Sequence, residues 1–147
     1  MTGLKKFDEY AEEGTAKRQS PDKNRAVSLI AESEDSYKIL LSFVEKMGLD
    51  NNNANHVIKN AYDIIMELVR AKMLLDGFGT TGKGAHEAEV AYMAEIGFSS
   101  NDVSFANDLR WFRNGIMYYG KKFDKAYAEK VLLFIKRIKP ILRKMCG

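Results

Sequence analysis

Cysteine, histidine and proline are scarce in this chain, whose 147 residues include one Cys, two His and two Pro. The single cysteine, Cys146, cannot form a disulfide within the chain. The longest unbroken aliphatic or aromatic run, Val131–Ile135, is five residues long, whereas a membrane-spanning helix needs about 20. The amino-terminal residues turn acidic where a signal peptide would carry its apolar stretch. We therefore expect a cytoplasmic protein without a membrane segment.

The chain also lacks a large excess of either charge, since its net charge is +3. Apolar residues make up 46% and charged residues 29% of the sequence, which is typical of one globular domain. The distribution is uneven, because residues 121–147 carry nine cations and two anions. This basic segment is either a solvated helix face or a surface that attracts phosphate-bearing partners.

Alternating patterns typical of strands are nearly absent, whereas apolar residues recur with the 3.6-residue period of helices. The pattern predicts a short leading helix over 4–13 and longer helices over 21–47, 54–76, 85–96, 103–119 and 125–145. Short connections between long amphipathic helices favour antiparallel neighbours. We therefore predict an all-α antiparallel bundle of about five helices plus a short N-terminal helix. Residues 1–20 are the predicted lead-in helix and linker, and residues 21–147 form the bundle domain.

Polar residues predict where some of these helices begin. Ser20 is the predicted cap of the first long helix, with Pro21 at its first position and Asp22 in its first turn. Asn53 or Asn55 is the predicted cap of the second. Inside the last helix, Pro140 should cause a kink or a local break.

Two features that suggest ligand chemistry fall short of a motif. Residues 77–84, GFGTTGKG, nearly spell a phosphate-binding loop, but Gly84 replaces the hydroxyl that would hold magnesium, and the loop follows a helix. A flexible connection between helices is the better interpretation. His56 and His86 are too far apart in the sequence to form a helical metal-binding pair. No metal and no cofactor are predicted, and His86 is interpreted as a hydrogen-bonded structural residue on the inner edge of its helix.

Residues 109–120 carry the densest set of functional candidates. The predicted core stripe of this helix is Phe105, Leu109, Phe112, Ile116 and Tyr119. The opposite side carries Arg110, Arg113 and Met117, with Trp111, Asn114 and Tyr118 beside them. Arginine, amide and aromatic side chains together suit a phosphate or base site, and they suit a dimer interface equally well.

The last helix separates into an apolar face and a cationic face on a helical wheel. The predicted nucleic-acid or nucleotide contacts are Arg110, Lys121, Lys122, Lys136, Arg137 and Lys139. Leu133 lies among the cations of this helix, where it either contacts a second subunit or is a lone exposed leucine.

The sequence resembles a HEPN domain, the small helical module of prokaryotic toxin–antitoxin and defence systems. The resemblance rests on Glu13-Gly14, Ser20-Pro21-Asp22, Arg25-Ala-Val-Ser-Leu-Ile30, Ala61-Tyr-Asp-Ile-Ile-Met-Glu-Leu68, Ala85-His-Glu87 and Arg113-Asn114, in this order. It implies an antiparallel helical bundle that pairs as a homodimer, with Arg113 and Asn114 near the shared groove.

In the ribonuclease members of that family, the arginine is followed after four to six residues by a histidine. The resemblance then implies metal-free RNA cleavage, in which arginine stabilises the phosphorane and histidine is the general base. Here Tyr118, Tyr119 and Gly120 occupy those positions, and an unperturbed tyrosine, with a pKa of about 10, is a poor base at neutral pH.

We therefore predict a non-catalytic or weakly active homodimer that binds RNA or a nucleotide. The alternative is a metal-independent endoribonuclease in which Arg113 and Asn114 act with Tyr118 or His86. A further alternative is a structural helical interaction module. The resemblance also implies a possible minimal nucleotidyltransferase partner, for which Tyr118 and Tyr119 would be the modified residues.

Overall fold

The computed structural model describes residues 3–147, apart from the side chains of residues 117 and 118. Six helices contain most of these residues: α1 (Phe7–Glu12), α2 (Lys23–Met47), α3 (Ala54–Asp76), α4 (Ala85–Glu95), α5 (Ser100–Tyr119) and α6 (Lys125–Met145). Two short strands, β1 (Ala16–Arg18) and β2 (Phe78–Thr80), complete the described elements. The all-α helical bundle predicted from the sequence is confirmed. Within the described residues, no helix is both long enough and apolar enough to cross a membrane.

Helix α3 is the centre of the bundle. It packs most extensively against α2 and α6, and it also contacts α4 and α5. Apolar side chains cover most of its circumference, so residues such as Ile58, Ile64 and Leu68 are almost completely buried. The other helices pack around this core, and several of their polar side chains contact α3 directly.

Helices α2, α5 and α6 begin at side chains that accept a hydrogen bond from a backbone amide of the helix, as helix caps do, whereas the Asn53 side chain at the start of α3 does not. Asp22 caps α2 by accepting from the Arg25 amide, so the predicted cap at Ser20 is two residues too early. Ser99 caps α5 and accepts from the Asp102 amide, which starts this helix three residues before the predicted position. Asp124 caps α6 in the same way.

The two strands form an antiparallel pair that the periodicity of the sequence did not predict. Ala16 pairs with Thr80, Lys17 with Gly79 and Arg18 with Phe78. Part of the loop interpreted as a flexible connection is therefore a strand, and it holds the amino-terminal segment against α3 and α4. Residues 1–20 also contribute Phe7, Tyr10 and Ala16 to the same hydrophobic core as the bundle.

Helix α6 runs without interruption through Pro140, so the predicted local break does not occur. Proline removes one backbone hydrogen bond, to the carbonyl four residues earlier. Both Pro140 and Lys136 are exposed, and water can therefore satisfy that carbonyl. On the opposite face, apolar side chains such as Val131, Ile135 and Ile138 anchor the helix in the core.

Candidate functional site

Arg113 projects from α5 towards α3, where it forms a two-bond ion pair with Asp63. Its Nε donates to Asp63 Oδ1 at 2.7 Å, and its Nη2 donates to Oδ2 at 3.1 Å. Both side chains are partly exposed, so solvent reaches the pair. This parallel geometry is the strong form of an arginine–carboxylate interaction. The Asp63 carboxylate occupies two of the five N–H donors of Arg113 and would repel a phosphate that approached the same guanidinium.

Arg110 is buried, whereas the helical wheel predicted it on the face opposite the core. Its Nε donates to Asn107 Oδ1 at 3.0 Å, and its Nη1 lies 3.7 Å from Glu87 Oε1. Its guanidinium also lies 5.4 Å from the centre of the Trp111 ring. The prediction of an exposed arginine is wrong because α4 packs against this face of α5. Arg110 links those two helices.

Tyr62 lies on α3, close to several charged side chains. Burial is the main cause that raises the pKa of Tyr62, and Glu89 raises it further, whereas Arg110, Arg70 and Arg113 oppose the rise. The Tyr62 hydroxyl is buried and has no hydrogen-bond partner among the described residues. Arginines of two helices, α3 and α5, and a carboxylate of α4 therefore approach one buried phenol at the junction of these helices.

A polar line along α3, which was not predicted from the sequence, meets these arginines. Asp63, Glu67 and Arg70 are spaced four and three residues apart, which places them on one side of a helix. Three charged residues at that spacing in a helix that is mostly apolar are a signal that the sequence contains. Which residues of other helices pair with them depends on the tertiary fold.

Glu67 is the most perturbed carboxyl group of this line. It is buried, and its Oε2 has no hydrogen-bond partner in the part of the chain that the structure describes. Burial, with a further contribution from the carboxylate of Glu32 on α2, raises the pKa of Glu67 to about 7. This carboxyl group therefore titrates near neutral pH at the interface between α2 and α3.

Of the two residues proposed to replace the catalytic histidine, the structure describes the side chain of His86. The side chain of His86 is largely exposed at the start of α4, not on an inner edge, and its Nδ1 lies 3.3 Å from Glu89 Oε1. Asn114 is half-buried. The side chain of Tyr118 lies outside the described residues. Cleavage by these groups stays a prediction.

Tyr119 was predicted to lie in the core stripe of α5, and the structure contradicts this prediction. Its side chain is 86% exposed, while Leu109 is fully buried and Phe112 is half-buried. The helix ends immediately afterwards at Gly120, which adopts a left-handed backbone conformation. The last turn of α5 therefore presents the phenol of Tyr119 to solvent.

The turn between α5 and α6 is held by the asparagine-rich turn between α2 and α3. Asn55 donates to the Lys121 carbonyl at 2.7 Å and accepts from the Phe123 amide at 2.8 Å. The ammonium group of Lys122 donates to Asn52 Oδ1 at 3.2 Å. Both lysines are exposed. The asparagines, predicted only as a helix stop and cap, fix the backbone that carries these cations.

The three predicted cations of α6 lie in different environments. Lys136 is exposed, and Arg137 is exposed with two hydrogen bonds to the Asp102 carboxylate. Lys139 is only 6% exposed, so its predicted place on the solvent face is wrong. Its Nζ donates to Glu34 at 2.7 Å and lies over the Tyr37 ring. Position 139 borders the apolar face of the helix, and acidic and aromatic partners from α2 cover it.

Comparisons with protein-family models, with curated proteins and with solved structures find no match to this chain. The side-chain geometry therefore supplies the functional evidence. Arg110, Arg113 and Lys139 form contacts within the fold. Four other predicted site residues face solvent, namely Tyr119, Lys121, Lys122 and Lys136. Leu133 is also exposed, among the cations of α6.

Proposed function

We propose that the protein binds single-stranded RNA, without cleaving it, at the corner between α5 and α6. The observation that supports this most directly is the exposed phenol of Tyr119, two and three residues before the exposed lysines Lys121 and Lys122. An aromatic ring stacks on an unpaired base, and neighbouring cations attract the phosphates on either side. Lys136 and Arg137 on α6 extend the basic surface beyond this corner.

The binding corner is held in place before any ligand arrives. Asn55 makes two hydrogen bonds to the backbone of the turn, and Asn52 receives one from Lys122. Little backbone order then has to be gained on binding, which reduces the entropic cost of association. The lysine side chains remain accessible to phosphates.

Binding without cleavage is the favoured form of the proposal because Arg113 already has a carboxylate partner. Its two hydrogen bonds to Asp63 occupy donors that would otherwise stabilise a phosphorane. The ion pair instead supports a positioning role between α3 and α5. The alternative, metal-independent cleavage by Arg113 and Asn114, requires that this pair opens when RNA binds.

The resemblance to HEPN domains extends the proposal to assembly. We propose that the protein acts as a homodimer within a toxin–antitoxin or defence module, and that exposed Trp111 and Leu133 contribute to contacts between subunits. The accessible hydroxyl of Tyr119 is also the proposed acceptor for a minimal nucleotidyltransferase partner.

Neutralising both lysines of the corner should weaken RNA binding about tenfold. For the K121Q/K122Q variant, fluorescence anisotropy with labelled single-stranded RNA should also show a smaller salt dependence. Two lost phosphate contacts lower the slope of log K against log salt by roughly 1.4.

Replacing Tyr119 with alanine should weaken binding to a similar degree, whereas Y119F should bind as the wild type does.

The matched control is K38Q/K46Q, which removes the same charge from exposed positions on α2. Equal losses in the two double variants would show that only net charge matters and would refute a site at the corner.

The same mixtures, analysed on a denaturing gel, should contain intact RNA. Metal-free cleavage that disappears in R113A would replace our proposal with the ribonuclease alternative.

A further inference from the structure

A cleft lies beside the β1–β2 pair, away from the α5–α6 corner. It has a volume of about 230 Å³, smaller than the roughly 300–1,000 Å³ of pockets for drug-sized ligands. Three cations, Lys17, Arg25 and Arg70, line it together with the hydroxyl residues Thr80 and Thr81. These residues come from β1, α2, α3 and the loop that contains β2, so the tertiary fold assembles the cleft.

The cleft carries an excess of positive charge. Lys17 and Arg25 form no ion pair with any described residue. Among the residues that the structure describes, Glu89 is the one acidic residue in the lining, and its Oε2 lies 3.0 Å from Arg70 Nε. Because Glu89 and Arg70 neutralise each other, the other two cations provide a net charge of +2. A small anion is the complementary ligand.

Glu89 also gives the cleft a fixed wall. It is almost completely buried, and Thr80 donates its hydroxyl to Glu89 Oε2 at 3.2 Å. One carboxylate therefore positions both an arginine and a threonine of the lining. Such support is what a binding site needs in order to hold its ligand contacts in a productive geometry.

The strand pairing explains how a glycine-rich loop joins these cations. Lys17 on β1 is paired with Gly79 on β2, directly before Thr80 and Thr81. A Cβ atom at Gly79 would collide with the side-chain carbonyl of Gln19. Glycine at this position therefore lets the Gln19 side chain lie against the strand, and both residues line the cleft.

We propose that this cleft binds a phosphate group, either as the free ion or at the end of a small phosphorylated molecule. Guanidinium and ammonium groups are the usual donors to phosphate oxygens, and the Thr81 hydroxyl is a further donor here, since Thr80 donates its one proton to Glu89. The site differs from the nucleoside-triphosphate loop considered for residues 77–84, because its cations come from β1, α2 and α3. It is independent of the proposed RNA surface, since Lys121 and Lys122 do not line it.

Titrations at constant ionic strength with inorganic phosphate, pyrophosphate and adenosine monophosphate test this proposal. Isothermal calorimetry and ³¹P NMR should detect binding to the wild type, with affinity at least tenfold lower for K17Q/R25Q. The R25K variant should retain most of the affinity. Tighter binding of adenosine monophosphate than of phosphate would identify a phosphorylated small molecule as the source, and the reverse order would identify the free ion.

The control is K23Q, which removes an exposed cation from the same turn of α2 but not from the lining of the cleft. Lys17 and Arg25 are exposed, so their replacement should leave the thermal unfolding curve without ligand unchanged. Equal affinity of the wild type and K17Q/R25Q, or binding of none of the three anions, would overturn the proposal. Loss of RNA binding in K121Q/K122Q has no bearing on this result.

Discussion

Replacing Gly77 with alanine should lower the free energy of unfolding by about 2–4 kcal/mol. Gly77 ends α3 with φ 84° and ψ 38°, a left-handed conformation that costs an L-residue roughly 1–2 kcal/mol. An added Cβ would also lie 2.9 Å from the backbone carbonyl oxygen of Gln19. That oxygen cannot move away easily, because the Gln19 amide donates to the Gly77 carbonyl at 2.9 Å.

The matched control is Gly82→Ala in the same loop. Gly82 also has a positive φ, of 77°, but its added Cβ would have no atom within 4 Å. This variant should therefore lose only the conformational part, about 1–2 kcal/mol. Urea unfolding followed by circular dichroism measures both values. Equal losses for the two variants would show that the contact with Gln19 adds nothing.

The Gly77 result also reports on how the amino-terminal segment is held. The segment is attached to the end of α3 through Gln19 and through the hydrogen bond from the Asp22 amide to the Leu74 carbonyl. A strained Gly77 position should loosen these contacts before it disturbs the core of α3. Hydrogen exchange at the amides of Gln19 and Asp22 should then accelerate more than exchange in the middle of the helix.

The sequence predicted the helices well because their apolar period depends only on local spacing. The α6 core residues Val131, Ile135 and Ile138 lie where the wheel places them. The strand pair was missed because three residues are too few to show a period. Its pairing joins Lys17 to Gly79, which are far apart in the chain.

The charged residues of the candidate site were harder to predict than the core. The wheel places Arg110 opposite the core stripe of α5 and Lys139 beside the apolar face of α6, and it cannot show that a neighbouring helix covers either position. Glu87 on α4 and Glu34 on α2 supply their acidic partners. Which helices become neighbours is a property of the whole fold, so these pairs could not be derived from local pattern.

Replacing Glu67 with glutamine should stabilise the protein at pH 8 more than at pH 5, by about 2 kcal/mol. Burial and Glu32 raise the pKa of Glu67 in the folded chain to about 7, from a usual value of 4.5. The folded state therefore holds this proton more tightly than the unfolded state. The resulting stability is fully present below pH 4.5 and is lost as the pH rises through 7. Glutamine never ionises, so the variant avoids this loss.

Thermal unfolding of both proteins between pH 4.5 and 8 measures the effect, which should reach roughly 5 °C at the upper limit. Glu45→Gln, an exposed position on α2, is the matched control and should show no comparable pH-dependent gain. Glu32→Gln tests the cause, because loss of its negative charge lowers the pKa of Glu67 and should give part of the same gain. Parallel stability curves for wild type and E67Q would contradict a carboxyl group that titrates near neutral pH at the α2–α3 interface.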